Sequence, residues 1–271
     1  MCEPARRRLR EAARVAPVRR VASRLVLIIG SWYAISGCAT PTATPTLPPP
    51  PEQVGVSASL EPFALAKVTA YARSVGVPPF DLEVWSSAQA TQAAEDGRLQ
   101  LLVSAAPPPV GWFATPLGFE EIVVIVSSET PIRDLTLGQL GNVFSGRIQT
   151  WADVAGPDEP IQLVIPPQGD ELRQRFEGLA MDGRRFPQTA LLAPTPAAMA
   201  ALVGQTSGAI GFLPLSSSAE QARAISINGQ APSPRGSSMA DYPLRFEVVA
   251  TAPEEPQGGV RDWLAWLQEQ E

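Results

Sequence analysis

The run Glu121 to Val126, EIVVIV, carries five apolar residues in succession with no polar position to turn toward water. A strand of that kind needs both faces covered, as inside a sheet flanked by helices. Leu99 to Val103, apolar but for Gln100, reads as another buried strand. Around these runs, strand-like segments alternate with segments that repeat at helical spacing. Val54 to Ser57 is a strand candidate, and Ser59-Leu60-Glu61-Pro62 follows it. There Ser59 suits a helix N-cap and Pro62 the first turn. Phe63, Ala66, Val68, Ala70 and Tyr71 recur at roughly helical spacing until Gly76 stops the helix. Asp81 to Trp85 predicts a second strand ending at Ser86-Ser87, and Ala88 to Asp96 a second helix closed by Gly97. This β-α-β-α-β rhythm predicts an α/β sheet with right-handed crossovers. Further strands are expected at Ile161 to Ile165, Gly208 to Phe212 and Leu244 to Ala250. Further helices should open near Thr136, at Gly169-Asp170-Glu171 and at Pro196. A C-terminal helix gathers Val260, Trp263, Leu264, Trp266 and Leu267 on one apolar side.

The first 53 residues read differently. Eight arginines between Arg6 and Arg24 precede an apolar run from Leu25 to Ile35. At about 11 residues that run is short for a membrane span, which needs about 20, and has the length of a signal-peptide core. It ends in Ile35-Ser36-Gly37-Cys38, which resembles the bacterial lipobox, whose cysteine becomes the lipid-carrying N-terminus. Residues 1–37 are therefore expected to be a lipoprotein-type signal peptide and Cys38 the lipidation site. Residues 38–53 are expected to be a stiff Pro/Thr-rich tether, because proline fixes φ and removes backbone donors. These features imply an extracytoplasmic protein anchored to a membrane through lipid, in the periplasm or on the outer face of the cell membrane.

Charge and composition narrow the function. The chain has 21 basic and 27 acidic side chains; eight arginines and two glutamates lie in residues 1–24, leaving 13 basic against 25 acidic beyond them. An acidic body argues against a nucleic-acid partner, which requires a basic footprint. The chain has no histidine, and its two cysteines, Cys2 and Cys38, both precede the globular part. That removes Ser-His-Asp and Cys-His catalysis, and leaves neither a disulfide nor a histidine- or cysteine-based metal site in the globular part. No metal and no cofactor is expected.

Leu135, Thr136, Gln139, Leu140, Phe144, Ser145, Gly146, Ile148 and Trp151 fall at the fixed spacing L-T-x-x-Q-L-x-x-x-F-S-G-x-I-x-x-W. This stretch resembles the core signature of the phosphate-type ABC-transporter solute-binding family. Gly208-Ala209-Ile210-Gly211-Phe212 is similar to that family's G-A-I-G-Y strand, and Tyr242-Pro243-Leu244 to its late Y-P-L segment. The resemblance implies a two-lobed α/β fold of the type 2 periplasmic-binding-protein class, each lobe a mixed sheet flanked by helices, joined by two crossover strands. Residues 54–126 plus 216–271 are expected in lobe 1 and residues 127–215 in lobe 2. It also implies a monomer, with a small solute (phosphate or another small anion) held between the lobes and an ABC permease as partner, without catalysis. Adjacent acids such as Asp170-Glu171 do not face one another across a substrate as a catalytic pair would.

Ligand groups in such sheets come from loops at the carboxyl ends of strands and from the helix starts beyond them. The strand reading places Ser59, Leu60, Ser86, Ser87, Ser104, Gly169, Asp170, Glu171, Leu172 and Arg173 there. By the resemblance, Ser59 keeps the family's first hydroxyl, Leu60 offers a backbone N–H, and Ser86 and Ser87 stand at the second-strand serine. The family's helix opening G-S-G-T-R-x-x-F, however, reads Gly169-Asp170-Glu171-Leu172-Arg173-Gln174-Arg175-Phe176 here. Two hydroxyls are gone and two carboxylates have arrived. Pro166 stands where the family has an arginine, and Ala105, beside Ser104, where it has the proton-accepting aspartate. A like-charge pair at 4 Å costs about 4 kcal/mol at an effective dielectric of about 20, so these changes oppose a dianion in the family's geometry. Asp170 also reads as a plain helix cap. Two functions stay open: capture of a small solute for a permease, or a degenerate family member acting as an envelope sensor, adhesion or accessory lipoprotein without tight phosphate binding.

Overall fold

The computed structural model describes residues 52–78, 80–217, 221–233 and 242–270. The leader, Cys38 and nearly all of the tether lie outside the described residues. Residues 49–271 form one compact unit. Its strands are β1 (Glu52–Val56), β2 (Phe80–Val84), β3 (Leu101–Ser104), β4 (Phe113–Val126), β5 (Asp134–Leu135), β6 (Gln162–Ile165), β7 (Leu191–Leu192), β8 (Ala209–Pro214), β9 (Arg223–Ala224), β10 (Ser226–Ile227) and β11 (Arg245–Ala252). Its helices are α1 (Glu61–Val75), α2 (Ser87–Glu95), α3 (Leu137–Phe144), α4 (Glu171–Phe176), α5 (Pro196–Gln205) and α6 (Gly258–Gln268).

The main sheet runs β2-β1-β3-β11-β4-β8-β6-β7, with β9 also paired to β4. β1 is parallel to β2 and β3, as the β-α-β-α-β rhythm requires, while β11 is antiparallel to β3 and β4. β4 joins two half-sheets. Its first part, Phe113 to Glu121, pairs with β11, and its last part, Ile122 to Val126, pairs with β8. The pairing partner therefore changes at Glu121/Ile122. The EIVVIV run is the buried end of a strand more than twice its length. Pro116 and Gly118 disguise the rest in the sequence, and both sit where the β4–β11 register shifts. A proline inside a strand is tolerated at such a bulge, where its missing N–H breaks no ladder bond.

Return contacts brace that switch point. The Leu244 carbonyl accepts the Ile122 N–H at 2.9 Å, and the Tyr242 hydroxyl donates to the Ile122 carbonyl at 2.9 Å. β9 and β10 pair with β4 and β5, so the chain stays with the second half until at least Ile227.

Each half has its own aromatic packing. In the first, Phe80 lies 5.2 Å from Trp263, and Tyr71 lies 5.5 Å from Trp266, fastening α1 and α6 beside the sheet. Glu52 belongs to β1 and not to the expected tether; its carboxylate accepts the Val260 N–H at 2.8 Å and so satisfies the start of α6. In the second half, Phe176 stacks on Phe212 at 4.1 Å and meets Phe144 at 4.7 Å. Trp151 is fully buried and donates from its indole to the Gly208 carbonyl at 3.0 Å. Thr136 caps α3 in a capping box with Gln139. Gly76 ends α1 at φ 92°, a left-handed conformation favourable only to glycine. No described helix is long and apolar enough to cross a membrane.

Candidate functional site

The carboxyl ends of β1, β2 and β3 converge on the start of α4, so loops distant in sequence meet across the two halves. Ser59 does not cap α1, contrary to the sequence expectation. The residue before the helix is Leu60, and the Ser57 carbonyl accepts the N–H groups of both Leu60 (3.0 Å) and Glu61 (2.9 Å). That tight turn frees the Ser59 hydroxyl, which is buried and donates to Asp170 Oδ2 at 2.5 Å. The Leu60 N–H is committed to the turn.

Asp170 caps α4 as its sequence position suggests. Its Oδ1 accepts the N–H groups of Leu172 (2.9 Å) and Arg173 (3.2 Å). Gly169 precedes it at φ 88°, which turns the chain from β6 into the helix. Glu171 is only 3 % exposed. Its Oε1 accepts the Ser104 hydroxyl at 3.0 Å and its Oε2 accepts the Ala105 N–H at 2.9 Å. Leu172 is buried in the core.

Two other expected ligands, Ser86 and Arg173, make their hydrogen bonds outside this cluster. Ser86 is exposed and precedes α2, donating to Gln89 Oε1 at 2.6 Å. Ser87 is the first residue of α2. The Arg173 guanidinium turns back along its own helix. It donates to the Pro166 carbonyl at 3.2 Å and to Glu177 at 3.1 Å, and lies 4.9 Å above the Phe186 ring. The arrangement thus brings together Ser59, Ser104, Ala105, Asp170, Glu171 and the first N–H groups of α4, while Arg173 stands aside.

Beside this cluster a groove of about 450 Å³ opens between the loops after β1 and β2 and the β6–α4 loop. Ser57, Trp85, Ser86, Gln168, Gly169 and Asp170 are among its walls. The Ser57 hydroxyl is buried and has no hydrogen-bond partner among the described residues. In the wall of the groove, that hydroxyl is available to a polar group that enters it. The sequence reading ended its first strand at Ser57 and gave that residue no role in the site. Deeper in, between Ser59, Pro166, Leu172 and Phe212, the cavity is only about 10 Å³, at the lower limit for one water. Among the described residues, no group of three or more acidic side chains is placed to hold a metal ion.

Two titratable groups outside the cluster are perturbed at the switch in β4. Glu120 is 4 % exposed, and burial raises its carboxyl above the ordinary range, opposed in part by hydrogen bonds from Ser216 and the Glu121 N–H. Burial, together with nearby Glu121, also raises the phenol of Tyr242, so it remains a neutral donor to Ile122.

Comparison with known proteins agrees with this fold. Residues 44–271 match the family model described as a PBP superfamily domain. The phosphate-binding protein PstS of Bacillus subtilis is 24% identical over 225 residues, which cover 79% of this chain and 74% of that protein. A protein from Clostridium perfringens assigned to phosphate ABC transporters, solved with bound phosphate, superposes with a TM-score of 0.72 at 19% identity, covering 80% of this chain and 92% of that one. An ABC-type phosphate transport receptor from Vibrio cholerae gives a TM-score of 0.65 at 19% identity, covering 80% and 93%. At these identities the superpositions establish the fold, a mixed sheet with flanking helices of the type 2 periplasmic-binding-protein class. With the family model spanning all of the described residues, the chain belongs to the PBP (periplasmic-binding-protein) superfamily.

Proposed function

We propose that this chain is a lipid-anchored, extracytoplasmic solute-binding protein of the phosphate-type ABC-transporter group, which holds a small polar solute between its halves and presents the closed form to a membrane permease. The observation that carries the reading is the groove at Ser57, Trp85, Ser86 and Gln168, where a buried hydroxyl lacks a partner. A solute bound there would complete that hydroxyl and further stabilise the closed arrangement by its differential affinity for it. The protein does no chemistry on it and acts as a monomer. Cys38 carries the lipid, and the Pro/Thr-rich segment spaces the body from the membrane. Kinship with phosphate-binding proteins supports a small anion as the class of solute; Asp170 and Glu171 argue against a dianion at the family's position.

That last observation favours a second reading, an envelope sensor or accessory lipoprotein that keeps the fold and takes no solute tightly. A thermal-shift panel of oxyanions, amino acids and sugars on the full chain separates the two. A ligand of the native state raises the melting temperature by mass action. A saturable rise with any panel member, lost in Ser57→Ala, supports solute capture, and no rise with any of them supports the accessory role. Metabolic labelling with a palmitate analogue, lost in Cys38→Ser, tests the anchor.

A further inference from the structure

We propose that Glu171 decides what this cleft accepts: its carboxylate is a built-in anion that occupies the donors at the end of β3 and holds the two halves together without a solute. The inference deepens the proposed function and rests on its placing the ligand site between the halves, though not on the identity of any solute.

The geometry is that of a bound oxyanion. One oxygen of Glu171 takes the Ser104 hydroxyl and the other takes the Ala105 N–H. The Ser104 oxygen itself accepts the Ala106 N–H at 2.9 Å, so its single proton is turned toward Glu171. Donors of this kind are what an oxyanion needs when it leaves water, because burial without them is prohibitive. At 3 % exposure Glu171 has made that transfer from within the chain. Asp170 does the same one residue earlier, taking the Ser59 hydroxyl and two N–H groups of α4.

The two carboxylates belong to the second half, and the two serines to the first. The three hydrogen bonds from Ser59, Ser104 and Ala105 therefore join the same junction that a solute would close, and the two from the Leu172 and Arg173 N–H groups organise it. A carboxylate tethered in this way competes at a high effective concentration that free anion cannot match at ordinary levels. The cavity beside Ser59 and Leu172, at about 10 Å³, has space for one water and none for an oxyanion. Ala105 fits the arrangement, since its methyl leaves the space beside its N–H open to the Glu171 carboxylate.

The test compares the full wild-type chain with Glu171→Ala and Glu171→Gln, using formate and inorganic phosphate as probes against chloride at matched ionic strength. The wild-type melting temperature is expected to stay constant up to about 10 mM of either probe. Glu171→Ala frees both donors and the space. It should melt about 5–10 °C lower, and formate or phosphate should recover part of that loss in a saturable way. Glu171→Gln keeps the volume but can satisfy only one of the two donors, so it should melt lower without recovery by either anion. Should Glu171→Ala fail to fold, small-angle scattering keeps the test decisive. The wild type should then have one compact radius with or without the probes, and Glu171→Gln a larger one. The proposal is overturned if phosphate raises the wild-type melting temperature as much as that of Glu171→Ala. It is equally overturned if Glu171→Ala melts like the wild type and takes up no anion, or if Glu171→Gln is as compact as the wild type. The result stands apart from the solute panel: a wild type silent to every solute leaves anion recovery in Glu171→Ala fully readable.

Discussion

Ser59 and Asp170 meet from opposite halves of the molecule, and a double-mutant cycle reads their bond directly. The Ser59 hydroxyl donates to a carboxylate at 2.5 Å from a site 4 % exposed. A hydrogen bond to a charged group contributes about 1.5–3 kcal/mol, so Ser59→Ala should cost about 2 kcal/mol. Asp170 has a second duty, because its other oxygen caps α4 through Leu172 and Arg173. Loss of such a cap costs about 1 kcal/mol, so Asp170→Ala should cost about 3 kcal/mol in all. Once Asp170 is gone, Ser59 has nothing left to donate to, and the double variant should cost about as much as Asp170→Ala alone. The expected coupling is therefore about 2 kcal/mol. Urea unfolding at neutral pH measures it, with the slope checked for constancy so that midpoints translate into free energies. In thermal melts Ser59→Ala alone corresponds to a fall of about 4–8 °C for a domain of this size. Costs that add to within about 0.5 kcal/mol would refute the idea that this bond fastens the halves.

Glu120 gives a pH signature. Its folded carboxyl is raised by burial, so between its unfolded and folded values the native state binds the extra proton, and stability falls as pH rises through that window. Glu120→Gln removes the penalty: its melting temperature should exceed that of the wild type at pH about 8 and the advantage should vanish near pH about 4. Phe176 is fully buried against Phe144 and Phe212, so Phe176→Ala should cost about 3–5 kcal/mol by equilibrium unfolding. Because Phe176 ends α4, the same change should weaken the Ser59–Asp170 coupling measured by the cycle above. Thr136→Ala removes one side of the α3 capping box and should cost about 1 kcal/mol by the same measurement, with no change in any solute response.

Local chemistry made much of the fold legible in the sequence. Gly76, Thr136 and Asp170 each act within a few residues of themselves, and their residue types announce a helix end or a helix start. The runs at 99–103 and 121–126 announced buried strands for the same reason, though the first strand begins only at Leu101. Ser59 misled, because a serine before Pro62 looks like a cap until the Ser57 carbonyl is seen to take the N–H groups instead. The first half of β4 stayed hidden behind Pro116 and Gly118, whose accommodation depends on a register shift with β11, a partner more than a hundred residues away. Two-residue strands such as β7 and β9 carry no pattern of their own and exist only as edges of a neighbour.

The site divides in the same manner. Its loops could be located because strand ends are local features, and the carboxylates at positions 170 and 171 were visible as departures from the related motif. What they do was not visible. Glu171 finds Ser104 and Ala105 across 67 and 66 residues of chain, and no spacing rule links a glutamate at a helix start to a strand end that far away. Arg173 shows the converse. A cation at a helix start invites assignment to an anion, yet Pro166, Glu177 and Phe186 claim it.

Arsenate, a heavy analogue of phosphate, gives the most direct test that the chain's own carboxylates fill the oxyanion position. Crystals of the wild-type chain grown with arsenate and measured at the arsenic edge should show no anomalous peak between Ser59 and Ser104, with the Glu171 carboxylate bonded to Ser104 and Ala105. An arsenic peak within hydrogen-bond reach of both serines, with Glu171 swung out of the cleft, would contradict the account.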